Sequence, residues 1–336
     1  MTAPNSADET GAGQFVVSAS GTLLYVTGGI NRSLESAWVW VDRTGATQPL
    51  AALPAGPYLS PRLSPDGRRV AVTVSGGPRD VWVYDVLRGA PTRLTFDGGS
   101  SWPIWSPDGK LLVYAARTSG ASNLYAISAD GGGKPEQLTA SDTAQTPASW
   151  SSSGNAIAFL QRPQSGSTGI WILPMEGDRK PRLVLESRFN LTHPEFSADG
   201  RWIAYVSNES GSPEVYVQPY PGPGEKVRIS TAGGIEPIWN PNGRELLYRS
   251  GTRDSQQFLS AAIRSLSPFR ADTPRLLFEA KAGEYDSTTP GRSWNVSIDG
   301  QRFLLSRFTE STDKPVTVMH VVLNWAEDLK RLVPAK

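Results

Sequence analysis

The chain of 336 residues has no cysteine, which excludes disulfides, thiolate metal sites and a cysteine nucleophile without identifying a compartment. Neither sign of charge is in excess. Lys and Arg number 33 against 32 Asp and Glu, a formal net charge of +1, so no global field draws the chain to nucleic acid or an anionic membrane. Contact with nucleic acid, or of this segment with a membrane, is not expected. Long apolar runs are missing too: no stretch approaches the roughly 20 residues of a membrane span. The opening "MTAPNSADETGAG" has neither the basic start nor the apolar core of a secretory signal. As written, the chain is expected to be soluble and monomeric. A natural parent would carry any signal or anchor upstream of this segment.

What is abundant are turn formers and aromatics. Gly 33, Pro 27 and Trp 11 with only 19% charged residues point to an all-β chain, since a helical bundle would be richer in Ala, Glu, Lys and Leu. A four-residue corner recurs seven times: "SASG" at 18–21, "SPDG" at 64–67 and 106–109, "SSSG" at 151–154, "SADG" at 197–200, "NPNG" at 240–243 and "SIDG" at 297–300. Its glycines are spaced by 46, 42, 45, 46, 43 and 57 residues, the period of a four-stranded propeller blade of about 40–50 residues. Pro presets φ, Asp or Asn caps its own backbone, and Gly takes the positive φ that closes a hairpin. Each corner therefore joins two antiparallel strands, such as "RLSPDGRRVAV". Third strands follow ("AWVWVD", "DVWVYD", "NLYAIS"), with apolar residues on both faces, as a blade between two blades requires.

The fold class expected is thus all-β: a β-propeller of four-stranded antiparallel blades, seven by the corner count, with six as the alternative because the last repeat shows only three strands. The expected domains are a flexible segment at 1–13, a single propeller over 14–325, and a tail at 326–336 with room for a short helix.

The pattern P-x-W-S-P-D-G followed by an apolar strand resembles the TolB-type, WD-like propeller repeat of bacteria. "ESGSPEVYVQPYPGPGEKVRIS", "GGIEPIWNPNGRELLYRSG" and the closing "VVLNWAEDLKRLVP" are similar to the propeller at the C-terminus of bacterial membrane-anchored serine/threonine kinases. The resemblance implies a sensing or scaffold module that binds an unidentified protein, peptide or small molecule. No kinase motif is present, and no G-x-S-x-G elbow of a propeller-capped serine hydrolase.

Innermost strands of a propeller surround a channel. Aligning the repeats on their corners puts Phe15, Ser60, Trp102, Pro147, His193, Glu236 and Ser293 at one ring position. Val16, Arg62, Ile104, Ser149, Glu195, Ile238 and Asn295 form a second set. Two readings follow. In the binding reading the mouth presents Trp102, Ser60, Arg62, Tyr58 and Ser293 to a ligand, with Tyr285 a further exposed aromatic. In the alternative, His193 and Glu236 hold Zn²⁺ or Ca²⁺, with Glu195, Asn295 or Asp286 completing the shell, and the metal activates water against esters, lactones or phosphotriesters. That analogy is to the architecture of other propeller hydrolases. Otherwise His193 and Glu236 are polar residues of a wet mouth, paired with each other or with Arg62. The insertion "AGEYDSTTPGRSW", with Glu284 and Asp286, would supply a ligand or a lid, and His320 reads as a satisfied sheet histidine.

Overall fold

The computed structural model describes residues 15–18, 21–26, 36–75, 77–118, 120–162, 168–251, 255–286, 291–309, 319–323 and 325. The expected flexible segment at 1–13 and the tail at 326–336 lie outside them. The chain divides into two compact units, 36–308 and a smaller one drawn from 1–35 and 309–336. The propeller therefore occupies a narrower span than 14–325.

The larger unit is a ring of six blades. Blade 1 runs Tyr58–Leu63, Arg69–Val74, Asp80–Asp85 and Pro91–Arg93 from the inside outward. Blades 2, 3 and 4 repeat that order from inner strands Ser100–Trp105, Ala144–Trp150 and Leu191–Phe196. Blade 5 starts at Ile235–Trp239, and its third strand, Ser255–Leu266, is long enough to pair both Phe269–Ala271 and Arg275–Lys281. Blade 6 takes Trp294–Val296 and Arg302–Phe308 from late in the chain, and Ser36–Asp42 and Thr47–Pro49 from early in it.

Alternation along each strand builds the ring. Val70 and Val72 pack toward blade 6 while Ala71 packs toward blade 2; Ala156, Ala158 and Leu160 pack toward blade 4 while Ile157 and Phe159 pack toward blade 2. Six buried clusters result, one at each junction of successive blades, the last joining blade 5 to blade 6 through Phe258, Phe278, Trp294 and Phe303. Six junctions close the circle, which corrects the count of seven. The corner "SASG" belongs to the other unit, where Phe15–Val17 and Leu23–Val26 form a hairpin completed by Met319–Val322. The "AWVWVD" strand, expected to continue that repeat, instead pairs along Arg302–Phe308 and closes blade 6. His320 sits in the small sheet, its ring stacked on Tyr25 with centroids 4.8 Å apart.

The corners fold as their residue types dictate. Ser64 Oγ accepts from the Arg69 amide at 2.9 Å and donates to Asp66, and the Gly67 amide closes on the Ser64 carbonyl at 2.8 Å with φ at 67°. Ser106, Ser197 and Ser297 do the same with Asp108, Asp199 and Asp299. Among the described residues no helix is long and apolar enough to cross a membrane.

Candidate functional site

The innermost strands of blades 1 to 5 each carry a bulge at the ring position. In four of them the residue there adopts a left-handed backbone: Ser60 (φ 52°), Trp102 (φ 61°), His193 (φ 52°) and Glu236 (φ 51°). Each precedes a proline, which the bulge tolerates because it needs no ladder N–H there. Left-handed φ costs a residue with a Cβ about 1–2 kcal/mol, and such conformations persist where the surroundings over-determine them. In blade 3 the ring residue is Pro147, whose locked φ excludes that conformation. Indole struts hold the ring: Trp105 Nε1 donates to the Arg62 carbonyl at 2.7 Å, Trp239 Nε1 to that of Glu195 at 3.1 Å, and Trp294 Nε1 to that of Glu236 at 3.1 Å.

The ring position is a buried layer and not a wet mouth. Ser60, His193, Glu236 and Ser293 are all buried. A backbone segment fills the space between them: a Cβ built on Gly291 would lie 2.3 Å from Ser60 Oγ and 2.4 Å from the Trp102 ring. The insertion expected as a lid thus enters the channel itself, its residues 287–290 lying outside those described.

In this layer Glu236 is paired with Arg249, which neither ring set contains. Arg249 Nη1 lies 3.0 Å from the carboxylate, 2.6 Å from Ser293 Oγ and 2.7 Å from the Asp286 carbonyl, while Ser293 Oγ is 2.9 Å from both Glu236 oxygens. Burial raises the Glu236 carboxyl above its ordinary value, an effect opposed by Arg249 and Ser293. Glu195 is held by Arg292 at 2.8 Å. His193 Nδ1 is 3.0 Å from Thr192 Oγ1.

Burial pushes the His193 ring from 6.5 down to about 3; the nearby Gly291 backbone opposes this, without a well-formed bond to Nε2, and Arg292, Arg62 and Arg249 add to the lowering. The folded chain therefore leaves this ring unprotonated where the unfolded chain binds a proton, so stability falls as pH drops from 6.5 toward 3. His193→Asn, whose side chain tolerates a left-handed backbone, is expected to flatten that part of the profile. Urea midpoints between pH 7 and 4 read the slope, and an unchanged slope would refute a neutral buried imidazole.

The metal reading does not fit these residues. Both carboxylates are neutralised by guanidiniums, Asp286 faces the layer through its carbonyl oxygen, and Asn295 Oδ1 accepts the Val296 amide. Among the described residues no group of three or more His, Cys, Asp or Glu could hold a metal ion. Two aromatics expected at the mouth are core: Tyr58 packs between Trp38 and Tyr84, and Tyr285 packs edge-on against Phe258.

The open site lies on the corner side, at the level of the second set. A funnel of about 460 Å³ is lined by Arg62, Ile104, Ser149, Glu195, Ile238 and Asn295, so all six of that set that belong to the propeller meet there. Val16, the seventh, is on the small sheet. The funnel's walls are Trp105, Trp150, Phe196 and Trp239, and its rim is the second residue of each of the propeller's six corners, including Pro65, Pro107, Ala198 and Ile298. Arg292 joins Arg62 and Glu195 on the floor. Neither Arg249 nor Arg292 was singled out from sequence, although an arginine inside the apolar run "ELLYRSG" marks a cation that folding must bury.

No protein-family model matches the chain. It is 24% identical over 200 residues to an uncharacterized protein of Agrobacterium fabrum, matching 55% of this chain and 67% of that one. To the Tol-Pal system protein TolB of Francisella tularensis subsp. mediasiatica it is 28% identical over 159 residues, matching 45% of this chain and about a third (35%) of the relative's length. Its fold superposes on the structure of a TolB from Agrobacterium tumefaciens, itself so described provisionally, with a TM-score of 0.67, 19% identity, and coverage of 82% of this chain and 99% of that one.

Proposed function

We propose that this chain, a TolB-type β-propeller, is a binding module whose corner-side funnel receives a projecting segment of a partner protein. One observation carries the reading: six blades converge on a single cavity with aromatic walls and a charged floor, closed behind by Gly291, Ser60 and Trp102. A volume of about 460 Å³ falls in the ~300–1,000 Å³ range of ligand sites. The lining is mixed: apolar faces on the walls alternate with serines, Asn295 and the three charged groups of the floor. The indole N–H groups of Trp105, Trp150 and Trp239 are spent on backbone carbonyls, so these walls offer apolar faces. The TolB relative is by name a component of the Tol-Pal system.

The test is local capture. A photo-crosslinking residue at Ile298, exposed on the rim, is expected to trap a partner from a native lysate; the same residue at Leu87, exposed far from the funnel on an outer turn, is expected not to. Ala198→Trp adds bulk at the exposed second position of a corner and should lower capture by about tenfold or more, equivalent to about 1.4 kcal/mol. Equal trapping at both positions, or capture indifferent to Ala198→Trp, would remove the funnel from the reading.

A further inference from the structure

Among the described residues Arg62 is a buried cation that forms no direct ion pair with a carboxylate. It is 6% exposed, yet the ion pairs at this level join Arg249 to Glu236 and Arg292 to Glu195. Arg62 Nη1 is left with two carbonyl oxygens, Pro61 at 2.9 Å and Arg292 at 2.8 Å, and its Nε–H has no partner among the described residues. An uncompensated charge is among the most costly groups to bury. Burial, with Arg292 alongside, lowers the guanidinium to about 9 against the opposing attraction of Glu195 and Glu236, which leaves it charged at neutral pH.

The charges can be counted. Arg62 and Arg292 face Glu195 on the funnel floor, Arg249 and Glu236 cancel one layer behind, and His193 is neutral. One positive charge is surplus. Arg62, Glu195 and Arg292 also border a small cavity of about 10 Å³ behind the floor, together with His193 and Gly291. That space is about one probe sphere, enough for a single atom. His193 Nε2 on its wall likewise makes no well-formed hydrogen bond among the described residues, the Gly291 backbone lying nearest.

We propose that Arg62 anchors an anion site on the funnel floor, and that its ligand is a single carboxylate carried on an apolar body seated against the aromatic walls. A surplus of one charge matches a monoanion. A carboxylate takes a charge-assisted hydrogen bond from the guanidinium at the funnel floor, whereas a phosphate dianion would overcompensate the single charge. Ile104, Ile238, Trp105 and Trp239 take the apolar part. This names the chemistry the funnel selects and rests on the funnel being a binding site.

The experiment is titration calorimetry of the full chain at constant ionic strength with sodium phenylacetate, neutral phenylacetamide and sodium phosphate. Saturable one-to-one binding of phenylacetate is expected, with phenylacetamide and phosphate at least about tenfold weaker, the scale of one charged hydrogen bond. Arg62→Met should weaken phenylacetate by about tenfold or more, while Arg88→Met, at an exposed turn, should leave it unchanged. Should Arg62→Met fail to fold, the Arg62 Nε–H resonance of the unaltered protein is expected to shift with phenylacetate and not with phenylacetamide.

Short peptides ending in phenylalanine identify the source. Binding of the free acid but not its amide assigns a chain terminus, and phenylacetate binding alone assigns a free organic acid. Absence of saturable binding, equal binding of acid and amide, or retention in Arg62→Met would overturn the proposal. Loss of the Ile298 cross-link would instead strike at the binding reading beneath it.

Discussion

Arg249→Met is expected to destabilise the propeller by about 3–5 kcal/mol, the usual cost of breaking a buried ion pair from one side. The methionine is close in volume and keeps contact with Phe258, over whose ring the guanidinium lies at 5.2 Å, so packing is not the main loss. The loss comes from Glu236, which is fully buried and would keep only Ser293 as a donor among its present side-chain partners. The carboxyl, already raised by burial, would rise further once its cation is gone. The folded state then holds a proton that the unfolded state releases, so the variant's stability falls as pH rises through the window above the ordinary value of 4.5. Denaturant midpoints at pH 4.5 and 8 should therefore show the larger deficit at pH 8. Adding Glu236→Gln to Arg249→Met should recover part of the loss at pH 8 and leave a deficit relative to the parent that no longer grows with pH. A single variant as stable as the parent, or a deficit independent of pH, would mean the pair is solvated and not buried.

The second large effect is expected at Gly291, where the reason is space and not backbone conformation. Alanine there puts a methyl 2.3 Å from Ser60 Oγ and 2.4 Å from Trp102 Cε3, distances that real carbon contacts do not reach. Both neighbours sit on strained bulges, and Ser60 is fully buried. Overpacking of this kind costs about 1–3 kcal/mol. Combining Gly291→Ala with Ser60→Gly should return only part of the stability, because the Trp102 ring still stands in the way. Arg292 follows directly and holds Glu195, so the same substitution should also perturb the funnel floor. Thermal or urea denaturation of the two variants reads the cost, and a neutral Gly291→Ala would show that this backbone does not fill the channel.

The corner spacing made the blades legible, and aligning the repeats on it found the layer where four residues take a left-handed backbone. It also found the set that lines the funnel. Both succeed for one reason: the corner fixes the register of the inner hairpin, and in a repeat architecture register fixes level along the channel. Local spacing was silent on partnership. "AWVWVD" has the same strand pattern whether it pairs with the hairpin before it or with Arg302–Phe308 more than 260 residues away, and so the count came out one blade too high. Tyr58, expected as an aromatic of the mouth, is enclosed by Trp38 of the blade that closes the ring.

The charges divide in the same way. Sequence alone determined that His193, Glu236, Arg62 and Glu195 share two adjacent levels, because alternation and corner register are properties of neighbouring residues. Only the tertiary structure decided that Glu236 answers to Arg249 and Glu195 to Arg292, leaving Arg62 without a carboxylate. Pairing depends on which long side chains reach across the channel from other blades, and no local pattern encodes that distance. It also depends on the backbone at Gly291, which closes the passage behind the floor and turns a ring of polar residues into a buried layer with an open funnel on one side.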